Sequence, residues 1–436
     1  MAKLPDIPKG KELEDYVAAS LQCAGYFVEK SLIERGAAEV LELDMIATDY
    51  RESTPTPLLV EVKSGDWGFG DIFKLLGWKI YLSGKGLGRT YLVASRLKDN
   101  FPIDFVRAKC TELGVGIVAV DGHERLNAAL AGEGLLRAEP AHLEHSLWRF
   151  SLWLERLTVD IVSSNRKAGD GRNGPQQIYE YQELIRNGLL LATDLRERLA
   201  SLYSAHLEHP WLAKAVAREM DGEPYNAEAD PGEGAHWLEA VRECDHPIVQ
   251  AALYFQHKAR LGVLKGAVDY ALLEDAGDLP PDGTIEFMGF DLPQDYLPAS
   301  FHNGVRQIRK IGSKERIPAL WQSFMWKWGG FFLSESEPEE RAQLAAEVGM
   351  GLDDANQALG LFDVLFPIPG STWYAEFQGT RILKLFPCPF RGIGAFMRLA
   401  MAEADDYRAF KTPAHPYLAV NLQKWHNAAA GALAKG

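Results

Sequence analysis

Two stretches, LELDMIATD at residues 41–49 and LLVEVKS at residues 58–64, decide how the first part of this chain folds. The polar, proline-bearing turn YRESTPTP separates them, so they are predicted to form two paired strands. Because side chains alternate between the two faces of a strand, Asp44 should share a face with Glu61 and Lys63 of the next strand. The apolar residues between them can be buried on the other face, which leaves the three polar side chains to converge on the exposed side.

The flanking sequence alternates helical and strand patterns, which predicts an α/β domain with a mixed sheet over residues 1–125. Apolar residues at helical spacing predict a first helix that Gly25 ends, with Tyr26–Lys30 as a strand candidate after it. After the hairpin, Asp71 is predicted to be the N-cap of a helix over about 72–83. Further elements are expected as a strand at 90–95, a helix at 102–113 and a strand at 115–120.

The rest of the chain is predicted to contain a mainly α-helical domain at 139–276 and a mixed α+β domain at 284–436. Within the latter, residues 338–386 resemble a winged helix-turn-helix, because two helical patterns precede the hairpin candidate TWYAEFQGTRILKLF. Asp353 and Asp354 open the second of these helices, where a DNA backbone would repel them. A protein-contact or structural role is therefore expected for this segment, rather than base reading.

Composition limits the classes of protein and partner. The chain has 46 Lys and Arg against 60 Asp and Glu, a net charge of −14, so it has no overall attraction for a nucleic-acid backbone. Its four cysteines lack CxxC spacing, which excludes a zinc ribbon and a disulfide scaffold. The first residues lack the apolar core of a signal peptide, and no apolar stretch is long enough for a membrane span. A cytoplasmic protein without membrane association is expected.

The predicted cluster of Asp44, Glu61 and Lys63 has a definite chemistry. Two neighbouring carboxylates repel each other unless a cation joins them, and carboxylate oxygens suit Mg²⁺, which keeps several waters and bridges to phosphate. A lysine beside them can orient or help deprotonate an attacking water and offset charge on a phosphorus transition state. The alternative is a set of cross-strand salt bridges on a solvated sheet face.

Over roughly residues 10–120 the sequence resembles the PD-(D/E)XK nuclease superfamily, which has the restriction-endonuclease-like fold. The Mrr-like and archaeal Holliday-junction-resolvase-like branches resemble it most. The matching pieces are the helix GKELEDYVAASLQCAGY, the strand LELDMIATD, a strand ending in EVK and the helix DIFKLLGWK. Leu43 stands where the motif has a proline, which is often missing in this superfamily, so the implied activity is unaffected.

The resemblance implies roles for single residues. Asp44 and Glu61 would hold Mg²⁺ or Mn²⁺, and Glu14 would assist them from the first helix. Lys63 would act on the attacking water. The helix after the hairpin would add one more polar residue that contacts nucleic acid, for which the candidates are Lys74 and Lys79. For Glu14 and these two lysines, an ordinary solvated helix position is the alternative.

A second candidate surface is FHNGVRQIRKIGSKER at 301–316, which carries five basic residues and one acid. In so acidic a chain, it is the best candidate for contacts with phosphates. The alternative is a solvated helix face that balances nearby acids. The basic residues assigned to nucleic-acid binding are Arg306, Arg309, Lys310 and Lys314.

Residues and resemblance together predict a metal-dependent endonuclease that hydrolyses phosphodiester bonds, with DNA favoured over RNA. The C-terminal region is expected to recognise nucleic acid, or a protein partner or activator, and to regulate the nuclease. The resemblance implies homo-oligomers, and analogy suggests bacterial anti-phage (antiviral) defence. Two alternatives stay open: an RNA-cleaving effector, and a catalytically inactive nuclease-like module for nucleic-acid binding or assembly.

Overall fold

The computed structural model describes about two thirds of the chain, and its contacts form two compact units. One unit comprises residues 3–153 and 189–194, and the other comprises 1–2, 154–188 and 195–436. The sequence predicts three domains, whereas the contacts group the chain into two units. The predicted division of the C-terminal region into two domains stays a prediction. The described residues are 7–35, 39–51, 55–82, 87, 89–97, 101–165, 176, 178–182, 185, 195–208, 212, 247–278, 285–287, 290–292, 296–328, 332, 337–367, 374–377 and 380–383.

The first unit is built on a five-stranded mixed sheet with the strand order β1-β2-β3-β4-β5. The first three strands are antiparallel neighbours, and β3, β4 and β5 are parallel. The predicted mixed sheet with helices is therefore confirmed. The elements are α1 (Lys11–Cys23), β1 (Tyr26–Arg35), β2 (Glu39–Asp49), β3 (Thr56–Lys63), α2 (Phe69–Tyr81), β4 (Arg89–Ala94), α3 (Ile103–Glu112), β5 (Gly116–Ala119), α4 (Leu126–Gly132) and the start of α5 (His142–Asn165).

Strand β3 is buried on both of its faces from Leu58 to Val62. Helix α1 packs on β1, β2 and β3, while α2 and α3 contribute to an apolar cluster that contains Leu59. The expectation that the polar side of the hairpin is exposed is therefore wrong, because helices cover it. The members of the cluster from α2, α3 and the neighbouring strand are Ile72, Leu75, Val106, Cys110 and Leu92.

Helix α2 begins earlier than predicted, at Phe69 rather than near residue 72. Asp71 consequently lies inside the first turn instead of at the N-cap. Its Oδ2 accepts a hydrogen bond from the Gly68 amide at 3.0 Å, so it still satisfies an amide at the start of the helix. A carboxylate in this turn is also favoured by the helix dipole.

The described part of the second unit is mainly helical. Asp354, in the helix Leu352–Leu365, accepts hydrogen bonds from the Ser313 amide at 2.8 Å and the Ser313 hydroxyl at 2.6 Å, which is a structural contact. The helices Glu337–Val348 and Leu352–Leu365 precede an antiparallel pair of short strands, Tyr374–Phe377 and Thr380–Leu383. A winged helix-turn-helix requires this order of elements, and that assignment stays a prediction. The elements are the end of α5, α6 (Leu195–Glu208), α7 (Pro247–Ala276), β6 (Ile285–Phe287), β7 (Phe290–Leu292), α8 (Ala299–Ile308), α9 (Ile317–Gln322), a π-helical turn (Ser323–Lys327), α10 (Glu337–Val348), α11 (Leu352–Leu365), β8 (Tyr374–Phe377) and β9 (Thr380–Leu383).

Hydropathy adds one observation on the helices of both units. Among the helices that the structure describes, none is both long enough and apolar enough to cross a membrane.

Candidate active site

The candidate site lies where β2 and β3 separate. Their ladder ends at the pair Met45–Val60, while β3 stays paired with β4 to its last residue. The next residues on the separating strands are Asp44 and Glu61. Asp44 Oδ2 accepts a hydrogen bond from the Val62 amide at 2.7 Å. The Asp44 side chain thus replaces a backbone acceptor at the end of the ladder, and this contact holds its carboxylate near Glu61.

Strand β1 is also irregular beside Asp44. The β1–β2 register contains the pairs on either side of Ser31 and Asp44 but not that pair itself. Ser31 has a φ of 51°, in the left-handed region, which costs a residue with a side chain about 1–2 kcal/mol. Backbone strain of this kind persists where the surroundings enforce it, often at functional sites. Asp44 is therefore flanked by ladder irregularities on both neighbouring strands.

Glu61 is a buried carboxylate, with 2% of the residue exposed. Its Oε1 accepts a hydrogen bond from Lys63 Nζ at 2.6 Å, and Lys74 Nζ lies 3.7 Å from the same oxygen. Its Oε2 is buried, and among the residues that the structure describes it has no hydrogen-bond partner. Because an unsatisfied buried carboxylate oxygen is costly, a bound cation at this position would stabilise it.

The Asp44 carboxyl is strongly perturbed. Burial and the charges of Glu61 and Glu14 raise its pKa to about 7, against the opposing effects of the Val62 amide and Lys63. Near neutral pH, Asp44 therefore holds its proton part of the time as long as no cation is present. A divalent cation between the carboxylates would remove this repulsion and displace the proton.

Lys63 is a charged ammonium group. Burial alone would lower its pKa, but the hydrogen bond to Glu61 and the charges of Glu61, Asp44 and Asp71 raise it above the usual value. Asp71 Oδ1 lies 3.9 Å from Lys63 Nζ. At neutral pH, Lys63 can therefore donate hydrogen bonds and offset negative charge, but it cannot accept a proton from water.

Two further predicted residues are brought toward these groups. Glu14 lies in the first turn of α1, is partly buried and acts electrostatically on Asp44. The start of α1 is attached to the end of β3, because the Gly10 amide donates to Ser64 Oγ at 2.8 Å. Lys74 lies near Glu61 and also over the Trp78 ring, with Nζ 4.1 Å from the ring centroid.

Lys79 points elsewhere. Its Nζ donates to the carbonyl oxygens of Leu113 at 3.1 Å and Gly114 at 2.8 Å, after the end of α3. Of the two lysines proposed for this helix, the structure thus brings only Lys74 to the carboxylates. The reason is helical phase, because Lys74 lies three residues after Asp71 and so shares its side of α2.

Sequence reasoning assigned Asp71 to capping and missed its second contact, with Lys63. The signal was present in the sequence, because an acid in the first turn of the helix that follows E-x-K lies close to the end of that strand. Ser64, which fixes the start of α1, was also missed. Its role depends on a contact across 54 residues, for which the sequence contains no local signal.

The donor set of Asp44 and Glu61 fits Mg²⁺ or Mn²⁺. These hard cations bind oxygen ligands, and one or two carboxylates suffice where waters and substrate phosphate complete the coordination. Within the described ranges, no three or more His, Cys, Asp or Glu side chains are gathered closely enough to hold a metal ion by themselves. Glu14, which the resemblance implies as a further ligand, stays a prediction.

The basic segment after residue 300 divides into two pairs. Arg309 forms ion pairs with Glu274 at 3.2 Å and Asp275 at 2.7 Å, and Lys314 lies 2.6 Å from Asp275. These two residues match the alternative of a solvated face that balances nearby acids. Arg306, which hydrogen-bonds Asn303, and Lys310 line an open depression of about 440 Å³, together with Asn303, Gln307, Arg309 and Val364.

Comparison with known proteins does not assign a family or a function to this site. No protein-family model matches the chain, and neither the curated proteins nor the solved structures provide a match.

Proposed function

We propose that this protein is a divalent-cation-dependent endonuclease that hydrolyses phosphodiester bonds, with DNA favoured over RNA. One observation carries the proposal: Asp44 and Glu61 lie together where two strands separate, beside the ammonium group of Lys63, and Glu61 Oε2 has no hydrogen-bond partner within the described ranges. Ordinary salt bridges on a sheet face do not account for this arrangement. They would be solvated and would not raise the pKa of Asp44 to about 7.

The residues divide the chemistry between them. Asp44 and Glu61 would hold Mg²⁺ or Mn²⁺, and the cation when bound would supply positive charge to the phosphate and favour ionisation of the attacking water. Lys63, as an ammonium, would donate a hydrogen bond to the attacking water or a phosphate oxygen and so offset charge in the transition state. A water oxygen bonds to phosphorus, one ester P–O bond breaks and the leaving oxygen is protonated, giving a phosphate monoester and a hydroxyl.

The second unit would act in recognition or regulation. Its surface provides Arg306 and Lys310 at the depression near α8, where a phosphate could be contacted. Arg309 and Lys314 are engaged by Glu274 and Asp275, so we assign them a structural rather than a binding role.

The proposal is tested by incubating the protein with supercoiled plasmid, single-stranded DNA and structured RNA, in Mg²⁺, Mn²⁺ or EDTA. We expect cleavage that EDTA abolishes, and a Lys63→Ala variant at least ~100-fold slower, the usual effect of removing one group that stabilises a transition state. The matched control is Lys79→Ala, a lysine on α2 that is not in contact with the carboxylates, and it should retain activity.

A measurement of cation binding distinguishes an active nuclease from a catalytically inactive protein with a nuclease-like fold. Calorimetric titration with Mn²⁺ should show binding that Asp44→Ala abolishes and Lys63→Ala retains. Cleavage that persists in EDTA, or that Lys63→Ala leaves unchanged, would refute the assigned chemistry. Absence of both cleavage and Mn²⁺ binding would favour the inactive binding or assembly module.

A further inference from the structure

Helix α7 carries a buried cation in the second unit. Arg260, near the middle of this helix, is only 8% exposed. Burial lowers the pKa of its guanidinium to about 10, against the opposing effect of Tyr181, so the group stays charged at neutral pH. Gln256 and His257, one turn earlier on the same side of α7, are buried as well. A polar stripe of this helix therefore lies inside the unit.

Among the residues that the structure describes, Arg260 has no anionic partner. Its Nε is buried and makes no hydrogen bond there, and no carboxylate contributes to the pKa of the guanidinium. The group that acts on it electrostatically is Tyr181, but burial raises the pKa of the Tyr181 hydroxyl, which is therefore neutral at physiological pH. The described side chains thus leave the charge of Arg260 unbalanced.

Contacts with neutral groups do not replace the missing negative charge. Arg260 Cζ lies 5.9 Å from the centroid of the Phe362 ring, at the outer limit of a cation–π contact. A buried water could accept hydrogen bonds from the guanidinium but would bring no charge. Because removing an ion from water is costly unless a counter-ion comes with it, an anion in contact with Arg260 would stabilise this part of the unit.

The neighbouring charges limit that anion to a single negative charge. Lys258, on the same helix, forms an ion pair with Glu155 at 2.5 Å. Lys265 is likewise paired, with Asp269 at 2.8 Å. Neither lysine therefore adds positive charge to the Arg260 site, and a second negative charge on the ligand would be left unbalanced in the interior.

The planar guanidinium matches the two oxygens of a carboxylate or of a phosphodiester, both of which carry one charge. We propose that Arg260 binds the carboxylate or phosphodiester group of a small ligand inside the second unit. The rings of Tyr181 and Phe362 would contribute aromatic surface near this group. Recognition or regulation is proposed for the same unit, but occupancy of the Arg260 site does not depend on cleavage by the first unit.

The first test compares wild type with Arg260→Met after dialysis into Tris chloride buffer, which contains neither a carboxylate nor a phosphate. Methionine removes a buried cation that has no counter-ion, so the variant should unfold at a temperature at least as high as wild type. The matched control is Lys258→Met on the same helix, which breaks the ion pair with Glu155 and should not raise the midpoint. A midpoint of Arg260→Met clearly below that of both proteins would show that the guanidinium has a structural partner, and would overturn the proposal.

The second test titrates anions at constant ionic strength. Acetate and benzoate represent carboxylates, and dimethyl phosphate and cyclic AMP represent phosphodiesters, so the class that stabilises wild type identifies the ligand group. A probe at about ten times its dissociation constant should raise the midpoint of wild type by ~3 °C and leave Arg260→Met unchanged. Arg260→Lys, which keeps the charge but not the planar fork, should bind the same probe at least ~10-fold more weakly.

Charge selectivity gives a further control. AMP, whose phosphate monoester carries close to two charges, should bind more weakly than cyclic AMP. Equal shifts in wild type and Arg260→Met would mean that the probes bind elsewhere. That result, or no shift of wild type with any probe up to about 10 mM, above the range of weak millimolar ligands, would overturn the proposal.

Discussion

Asp44 should make the metal-free protein less stable than an asparagine at the same position would. Its carboxyl is surrounded by Glu61 and Glu14 in a partly buried place, which raises its pKa from 3.8 to about 7. Ionising it above pH 7 without a cation therefore opposes folding. An asparagine keeps an oxygen that can accept the Val62 hydrogen bond but brings no charge.

The magnitude follows from the pKa. A change from 3.8 to about 7 is roughly three pH units, and at about 1.4 kcal/mol per unit the ionised carboxylate is destabilised by up to about 4 kcal/mol. Solvent screening of this partly exposed group reduces that limit, so we expect a gain of about 2 kcal/mol for Asp44→Asn. Because the folded-state pKa lies above the unfolded-state value, the gain should be absent below pH 4, grow as the pH rises and be complete above pH 7.

Thermal unfolding in EDTA at pH 4 and pH 8 measures this difference. For a unit of about 150 residues, 2 kcal/mol corresponds to a midpoint shift of roughly 4–8 °C, expected at pH 8 only. Mn²⁺ should then raise the midpoint of wild type more than that of the variant, since a ligand stabilises the state that binds it.

The matched control is Asp49→Asn on the same strand. Burial would raise the pKa of Asp49, but hydrogen bonds from Arg51, with Nε at 2.8 Å, lower it below its usual value. Here the folded-state pKa is depressed, so the charge is stabilising above pH 4, and the substitution should lower the midpoint at pH 8. Equal midpoints for Asp44→Asn and wild type at pH 8, or a difference independent of pH, would refute the predicted repulsion between the carboxylates.

Three further substitutions probe the packing around the site and in the second unit. Ser31→Gly removes a left-handed penalty and should raise the free energy of urea unfolding by about 1 kcal/mol; a loss would mean that the serine side chain is needed there. Asp15→Asn deprives the buried Lys30 ammonium of its charged partner and should lower that free energy by about 3–5 kcal/mol, which an unchanged urea midpoint would contradict. Gly304→Ala places a methyl group against Leu365 between α8 and α11 and should cost about 1–3 kcal/mol; thermal unfolding identical to wild type would disprove this tight packing.

Local patterns were sufficient for the sheet of the first unit. Alternation in 41–49 and 58–64 marks two strands, and a helix between later apolar strands indicates parallel pairing. The facing of Asp44 and Glu61 follows from strand periodicity alone. The break of the ladder beyond Met45 does not, because it depends on which backbone amide the Asp44 side chain reaches.

The burial of Glu61 and the ion pairs of the basic segment depend on tertiary packing, which sequence periodicity does not predict. Glu61 is buried because helices cover the face of β3 that it shares with Leu59. Local sequence patterns predict those helices but not the face of the sheet on which they pack. Likewise, the ion pairs of Arg309 and Lys314 connect them to Glu274 and Asp275 at the end of α7, at least 34 residues earlier in the chain. The sequence alone therefore indicated a basic segment able to contact phosphate, although acidic residues distant in the chain neutralise part of its charge.

The double contact of Asp71 links the first turn of α2 to the charge of Lys63. One carboxylate oxygen receives the Gly68 amide and the other lies near the lysine Nζ, so a ligand that draws the ammonium away leaves Asp71 with the helix alone. The amide proton of Gly68 thereby becomes a spectroscopic reporter: its chemical shift and its exchange with solvent should respond when an anion engages Lys63. Occupancy of the site could then be followed in solution without measuring cleavage.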